Sequence, residues 1–215
     1  MINLDTLATE IIHAIDKPFN IPLKYRVIDA IEHGRTVLVR RSIKSNKVID
    51  ATLIQSFGSN LEKVEIFSNF YVNDYKVNRR TINYIPSPIR LDSDSPFISV
   101  SSMDGSINFA FAEFTNLRFN NGSQFARGTG RYMYMNNVYL YHNEAHFASA
   151  NQVLIRGIFE RPLEVRDYSN HFRYSVYSYP MPDDMATEIK NLIITGELQI
   201  PPKSQEVTIN SDDSR

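Results

Sequence analysis

The sequence predicts an α+β fold: an N-terminal helical pair, a mostly antiparallel β-rich middle, and a C-terminal amphipathic helix followed by an extended tail. Three observations carry this. Apolar residues recur with helical spacing up to about residue 50, alternate from about Ala51 to Tyr179, and return to helical spacing after Pro180. Two dipeptides that favour hairpin turns, Asp104-Gly105 and Asn121-Gly122, fall inside the alternating stretch. No internal repeat is visible, so a single domain over 1–200 is expected, with 1–50 helical, 51–179 β-rich, 180–200 helical and 201–215 a tail.

The first helix is read from Leu4, Leu7, Ala8, Ile11, Ile12 and Ile15, which fill one helical stripe. Asp5 supplies acid to its first turn, and Lys17-Pro18 ends it because proline lacks the N–H and disfavours α geometry before it. The second helix is predicted to start near Asn20, with Pro22 in its first turn, and to run to about Asn46. Leu23, Val27, Ala30, Ile31, Gly34 and Leu38 form its main stripe, and Ile28, Val37, Val39 and Ile43 widen it. A helix apolar over more than one stripe is expected to be covered on more than one side, and a second subunit is one candidate cover. Gly34 on the apolar face either lets another backbone approach or is a tolerated glycine costing about 1 kcal/mol.

The predicted strands are Val64–Val72, Phe97–Ser102, Ser106–Ala112, Tyr132–Met135, Val138–Tyr141, Gln152–Phe159 and Phe172–Tyr179. Asp104-Gly105 and Asn121-Gly122 are the expected type I′ turns, Asn136-Asn137 is a further turn, and Gly128-Thr129-Gly130 marks a break. Pro180 and Pro182 close the β-rich region. Asp183 and Asp184 then start a helix carrying Met185, Ile189, Leu192 and Ile193, which Gly196 terminates. The polar tail beyond Pro201-Pro202 is expected to be extended and ordered where a partner holds it.

Charge is balanced in total and uneven in place. With 23 Lys+Arg against 24 Asp+Glu the net charge is −1, which disfavours a dedicated nucleic-acid binder. Residues 1–50 carry +2, residues 51–180 carry +1 and residues 181–215 carry −4. Arg40, Arg41, Lys44 and Lys47 cluster at the end of the second helix with no acid between them. They either complement the negative end of the helix dipole or seat an acidic surface such as the tail of a neighbouring copy.

The catalytic inventory is thin. There is no cysteine, hence no disulfide, thiolate metal site or cysteine nucleophile. No nucleophile elbow, phosphate loop or dinucleotide fingerprint occurs. His142, Glu144 and His146 offer the one starting point for a metal, but Asn143 stands where a zinc-protease helix needs glutamate, and a polar loop is the expected role. The sequence therefore predicts a non-enzyme without catalytic residues, cofactor or metal. Asn121-Gly122-Ser123 matches a glycosylation pattern and is read as turn chemistry. The start, Met1-Ile2-Asn3-Leu4-Asp5, has no basic run or apolar core, and no window reaches the ~18 apolar residues of a membrane span, so neither a secretory signal nor a membrane partner is expected.

The aromatics say more. Among 12 Tyr and 13 Phe, Tyr132, Tyr134, Tyr139 and Tyr141 crowd one stretch, with Tyr132 and Tyr134 on one strand face and Met133 and Met135 on the other. Such a strand belongs either in a protein interior or against another chain. An alternative reading is a nucleic-acid-binding accessory protein using Lys76, Arg79, Arg80, Arg127 and Arg131.

The layout resembles the connector or neck-ring proteins that short-tailed bacteriophages place between portal and tail, of the tail-tubular or gatekeeper type, including those of crAss-like phages. The likeness spans nearly the whole chain. It rests on the helical pair ending in Leu38-Val39-Arg40-Arg41, the Tyr-rich middle, the stretch Ile158-Phe159-Glu160-Arg161-Pro162-Leu163-Glu164-Val165, and Tyr179-Pro180-Met181-Pro182-Asp183-Asp184 leading into the last helix. The resemblance implies a virion structural protein, assembled in the host cytoplasm, forming a homo-oligomeric ring of about twelve copies. It further implies docking to the portal and other neck or tail proteins, and transient contact with passing DNA. Arg40, Arg41, Lys44, Lys47, Tyr132, Tyr134, Tyr139 and Tyr141 are then the candidate subunit interface.

Overall fold

The computed structural model describes residues 2–15, 20–45, 47–63, 77–91, 95–112, 130–141, 151–168 and 179–200. Helix α1 (Leu4–Ala14) starts where the Asn3 side chain accepts hydrogen bonds from the N–H groups of Asp5 (2.9 Å) and Thr6 (3.3 Å), two donors that a helix start otherwise leaves unpaired. Helix α2 (Ile21–Lys44) begins the same way, with Asn20 accepting from Leu23 N at 3.0 Å and Pro22 in the first turn. The boundaries expected near Asn20 and Asn46 are met to within two residues.

Seven strands follow: β1 (Gln55–Lys63), β2 (Val77–Thr81), β3 (Ser99–Ser102), β4 (Asn108–Phe111), β5 (Arg131–Met135), β6 (Asn137–Tyr141) and β7 (Gln152–Gly157). They close into a barrel in the order β1-β2-β6-β5-β4-β3-β7. Every neighbouring pair is antiparallel except β4–β5, where Ala110 and Phe111 run parallel to Arg131 and Tyr132. The longest pairing joins β1 to β7, from Gln55 opposite Gly157 to Asn60 opposite Gln152. A short helix α3 (Pro162–Tyr168) leaves the barrel, and α4 (Asp183–Ile194) ends the described chain's regular structure.

The antiparallel expectation holds for six of the seven pairings around the barrel, while closure was not anticipated. β1, β2 and α3 were not foreseen either. The predicted strand Val64–Val72, the Asn121-Gly122 turn and all of Phe172–Tyr179 except Tyr179 lie outside the described residues. Asp104-Gly105 does join a hairpin, β3 to β4, but as a different turn from type I′. Only Gly105 has positive φ (72°), its N–H donates to Ser102 O at 2.9 Å, and Asp104 takes hydrogen bonds from the flanking Ser102 and Ser106. At the β5–β6 turn Asn136 itself adopts the left-handed region (φ 64°), which asparagine tolerates better than most residues.

Three buried clusters hold the chain. α1, α2 and α4 pack Leu7, Ile11, Val27, Ile31, Ile189 and Ile193 with Tyr179 and Met181 into a largely aliphatic helical layer. The barrel interior is aromatic: Phe57, Phe97, Phe109, Tyr132 and Phe159 pack with Val100, Val153 and Ile155. A third, smaller cluster joins the two, with Val39 and Ile43 of α2 against Leu53, Ile89 and Ile158. The main stripe of α2 and the Val39 and Ile43 side are thus covered from within its own chain, while Val37 is exposed. At Gly34 what comes close is side chain and not backbone: an added Cβ would lie 2.9 Å from Leu198 Cδ2 and 3.4 Å from Ile189.

Candidate functional site

The candidate site lies where the helical layer meets the barrel and is organised by α2. Arg35 is the largest fully buried side chain of the described residues, at 0% exposure. Its Nε donates to Pro180 O and its Nη1 to Phe159 O, both at 2.8 Å, and the guanidinium stands 5.9 Å from the ring centroid of Tyr179. One side chain therefore ties α2 to the exit of β7 and to the entry of α4. Arg35 Nη2, Glu32 Oε1 and Tyr179 Oη are also buried there without a hydrogen-bond partner among the described residues. Burial pushes the Tyr179 phenol far above its usual range, and it pulls the Arg35 guanidinium down. Sequence reading missed Arg35. The signal was available: an arginine one position after Gly34, inside an apolar stripe.

Beside this junction a groove of about 360 Å³ runs between α2 and the β7–α3 link, lined by Asp29, Glu32, His33, Thr36, Arg40, Glu160 and Arg161. Burial raises the Glu32 carboxyl above its usual value, opposed by the charge of Arg161. Arg40 pairs with Glu160, Arg161 with Glu164 at 3.2 Å, and Thr36 Oγ1 donates to Glu160 O at 3.1 Å. The groove holds three carboxylates and two arginines, and it contains no positioned nucleophile.

The eight residues expected at an interface fall into two groups. Arg40, Arg41, Lys44 and Lys47 are all exposed at the end of α2. Arg40 spends its charge on Glu160; Arg41, Lys44 and Lys47 have no ion-pair partner among the described residues. The tyrosines belong to the β5–β6 hairpin. Tyr132 is 2% exposed and sits in the barrel, 5.4 Å from Phe111 and 6.0 Å from Phe97, with its hydroxyl 3.0 Å from Ser95 Oγ. Tyr134 is half-buried, edge-on to Phe97 at 5.1 Å. Tyr139 is half-buried and hydrogen-bonded to Arg80, and Tyr141 pairs through its backbone with Arg131 and Val77. Burial raises the Tyr134 phenol above its usual value, opposed by the charge of Arg90.

The arginines of the nucleic-acid reading do not form a basic surface where they are described. Arg79 is buried and reaches Asn151 Oδ1 at 3.4 Å, Arg80 pairs with Glu62 at 2.5 Å, and Arg131 is half-buried. Lys76, Arg127, His142, Glu144 and His146 lie outside the described residues. Among the described residues no three His, Asp or Glu side chains group as metal ligands, and no helix is long and apolar enough to cross a membrane.

A search of curated proteins finds no match to the chain. The family model described as phage tail ring protein 2, a ring protein of crAss-like phages, matches residues 9–214 and so takes in the second half of α1, all of α2, the whole barrel, α3 and α4. A ring protein of this kind is a structural part of the virion and works by assembling with other tail components. The match covers nearly the whole chain, and the chain belongs to the phage tail ring protein 2 family.

Proposed function

We propose that this protein is a non-enzymatic subunit of a homo-oligomeric ring in the phage neck, between portal and tail, whose bore passes the genome during ejection. The family match over 9–214 carries the reading. The neck position is supported by the net charge of −1, since a wall without a strong basic field lets DNA slide where a basic lumen would hold it. In this reading residues 1–200 form the subunit's domain. The exposed Arg41, Lys44 and Lys47, with Arg40 beside them, receive the acidic C-terminal segment of a neighbouring copy, residues 181–215 carrying −4. Of the four tyrosines, Tyr132 is committed to the barrel interior, and Tyr134, Tyr139 and Tyr141 complete the proposed subunit interface.

The test is assembly of purified protein with and without the portal, followed by electron microscopy. Rings, of about twelve copies if the family likeness extends to copy number, bound coaxially to the portal are expected. A strictly monomeric protein that never binds portal overturns the reading. Removing residues 203–215 should weaken ring assembly while leaving the subunit folded; intact rings after truncation would show that the tail is dispensable.

A further inference from the structure

A closed ring places a demand on its subunit that a two-fold dimer does not. Each copy must present two unlike surfaces, one for the neighbour on either side, because the contact is head-to-tail. Large apolar side chains left in solvent are the natural candidates, since burying them drives association. Six such side chains among the described residues are more than half exposed: Ile21 (65%), Tyr25 (65%), Val48 (97%), Ile82 (52%), Tyr84 (71%) and Met135 (61%). Val48 stands alone beside the basic end of α2. The other five form two patches, one on each layer.

The first patch is on the helical layer. Ile21 and Tyr25 lie one helical turn apart at the start of α2, so they share a face. The second is at one end of the barrel. The segment after β2 is fastened around the β5–β6 turn: Asn137 Nδ2 donates to Thr81 O (2.7 Å) and Asn83 O (3.1 Å), and Ile85 N donates to Asn136 O (2.7 Å). Ile82, Tyr84 and Met135 are thereby held at one rim on a backbone that is already hydrogen-bonded, which lowers the entropy cost of binding there. Each patch carries an exposed tyrosine, a residue favoured at the centre of interfaces because it buries a large area and keeps a polar tip.

We infer that the ring closes head-to-tail through these two patches, with the Ile82/Tyr84/Met135 rim of one copy packing on the Ile21/Tyr25 face of the next. The inference rests on the ring reading above and names the surfaces that reading leaves open. The occupant of each patch is a second copy of this chain. With one rim-on-face contact per neighbour, each copy keeps one patch of each kind open for the next, which is the condition for a ring; a two-fold pair would have to engage both patches of both copies at once.

Two variants test it: Tyr84→Asp with Met135→Asp, and Ile21→Asp with Tyr25→Asp. Each should abolish rings in mass photometry while keeping the wild-type circular dichroism spectrum, because all four side chains are exposed. Loss of one central aromatic alone should weaken association by about 30-fold or more. Mixed one to one, the two variants retain one good contact between them, the intact rim of the second variant on the intact face of the first. They should form heterodimers that grow no further. Rings from either variant alone, or a mixture that stays monomeric, overturn the inference while leaving the ring reading in place. A wild type that never assembles overturns the ring reading itself, and the contact with it.

Discussion

The helical layer and the barrel bury their apolar surface by different means, and their tolerance to change differs accordingly. The layer of α1, α2 and α4 is filled by leucine, isoleucine, valine and alanine, whose small units can shift by a fraction of an ångström and refill a gap. The barrel is filled by interlocked rings. Phe57 meets Phe159 edge-on at 5.5 Å, and Phe97 touches Phe159, Tyr132 and Tyr134 at 5.1 to 6.2 Å. A ring is rigid and can yield only by moving as a unit. Two cores of unlike stiffness share one chain, and Arg35 is the polar fastener between them.

The largest expected effect breaks that fastener. Arg35→Ala leaves the buried carbonyls of Phe159 and Pro180 unpaired and opens a void, at a cost of about 4 kcal/mol. Calorimetry should show the single unfolding transition of the parent separating into two, one for each layer; a single transition moved to lower temperature would mean that the apolar cluster of Val39, Ile43, Leu53, Ile89 and Ile158 suffices to couple them. Next comes Phe97→Ala, which removes the hub of the barrel's ring contacts and should cost about 3 kcal/mol in urea titration. A loss under about 1 kcal/mol would mean that the barrel repacks as freely as the helices.

A pair of glycines sharpens the contrast with smaller effects. At Gly130 a Cβ would fall 2.6 Å from Phe109 Cδ1 and 2.8 Å from Cε1, inside a ring that has little room to move, so Gly130→Ala should destabilise by about 2 kcal/mol. At Gly34 the nearest atom is the tip of Leu198, which can rotate away, and alanine gains about 1 kcal/mol of helix propensity. Gly34→Ala should therefore be close to neutral. Denaturant midpoints that rank the two the other way would contradict the stiffness argument.

The smallest effect concerns pH. The folded-state pKa of Glu32 lies above its unfolded value, so the folded protein holds this proton more tightly. Below the unfolded value near 4.5 both states are protonated and nothing is lost. As pH rises through the interval between the two values, ionising the buried carboxyl lowers stability, and above it the loss is constant. Glu32→Gln should remove that descent, seen as melting temperatures of parent and variant that converge in acid and separate toward neutral pH. Parallel curves would show that the groove does not penalise the charge.

The helical layer was legible in the sequence because its signals are local. A stripe such as Leu7, Ala8, Ile11 and Ile12, an asparagine at the start of α1 and of α2 and a proline in the first turn of α2 all lie within a few residues of what they specify. The β3–β4 and β5–β6 hairpins were legible for the same reason. Closure of the barrel was not: β1 carries Gly58, Ser59 and Asn60 in its centre, and only Phe57 and Leu61 mark its inner face. Its longest pairing comes from β7, far along the chain, and only its end pairs with β2, the next strand. The basic end of α2 was visible as an exposed cluster, but the tyrosines could not be assigned from composition. Tyr132 and Tyr134 face the barrel core, which alternation alone could not distinguish from a surface facing another chain. Arg35 escaped because its partners are backbone carbonyls, which no residue type announces.

The closing pair of the barrel has a consequence for how the subunit is made. Synthesis runs from the N-terminus, yet β1 must wait for β7, and α1 and α2 must wait for α4, before either core is sealed. Contacts so distant in sequence are slow to form, because the chain loses loop entropy before it gains the pairing. A nascent or truncated chain that ends before β7 therefore has neither layer complete, and one that ends before about residue 195 still lacks part of the helical layer. On the head-to-tail contact inferred above, only finished copies would present both surfaces on completed layers, and the order of folding would keep fragments out of the ring.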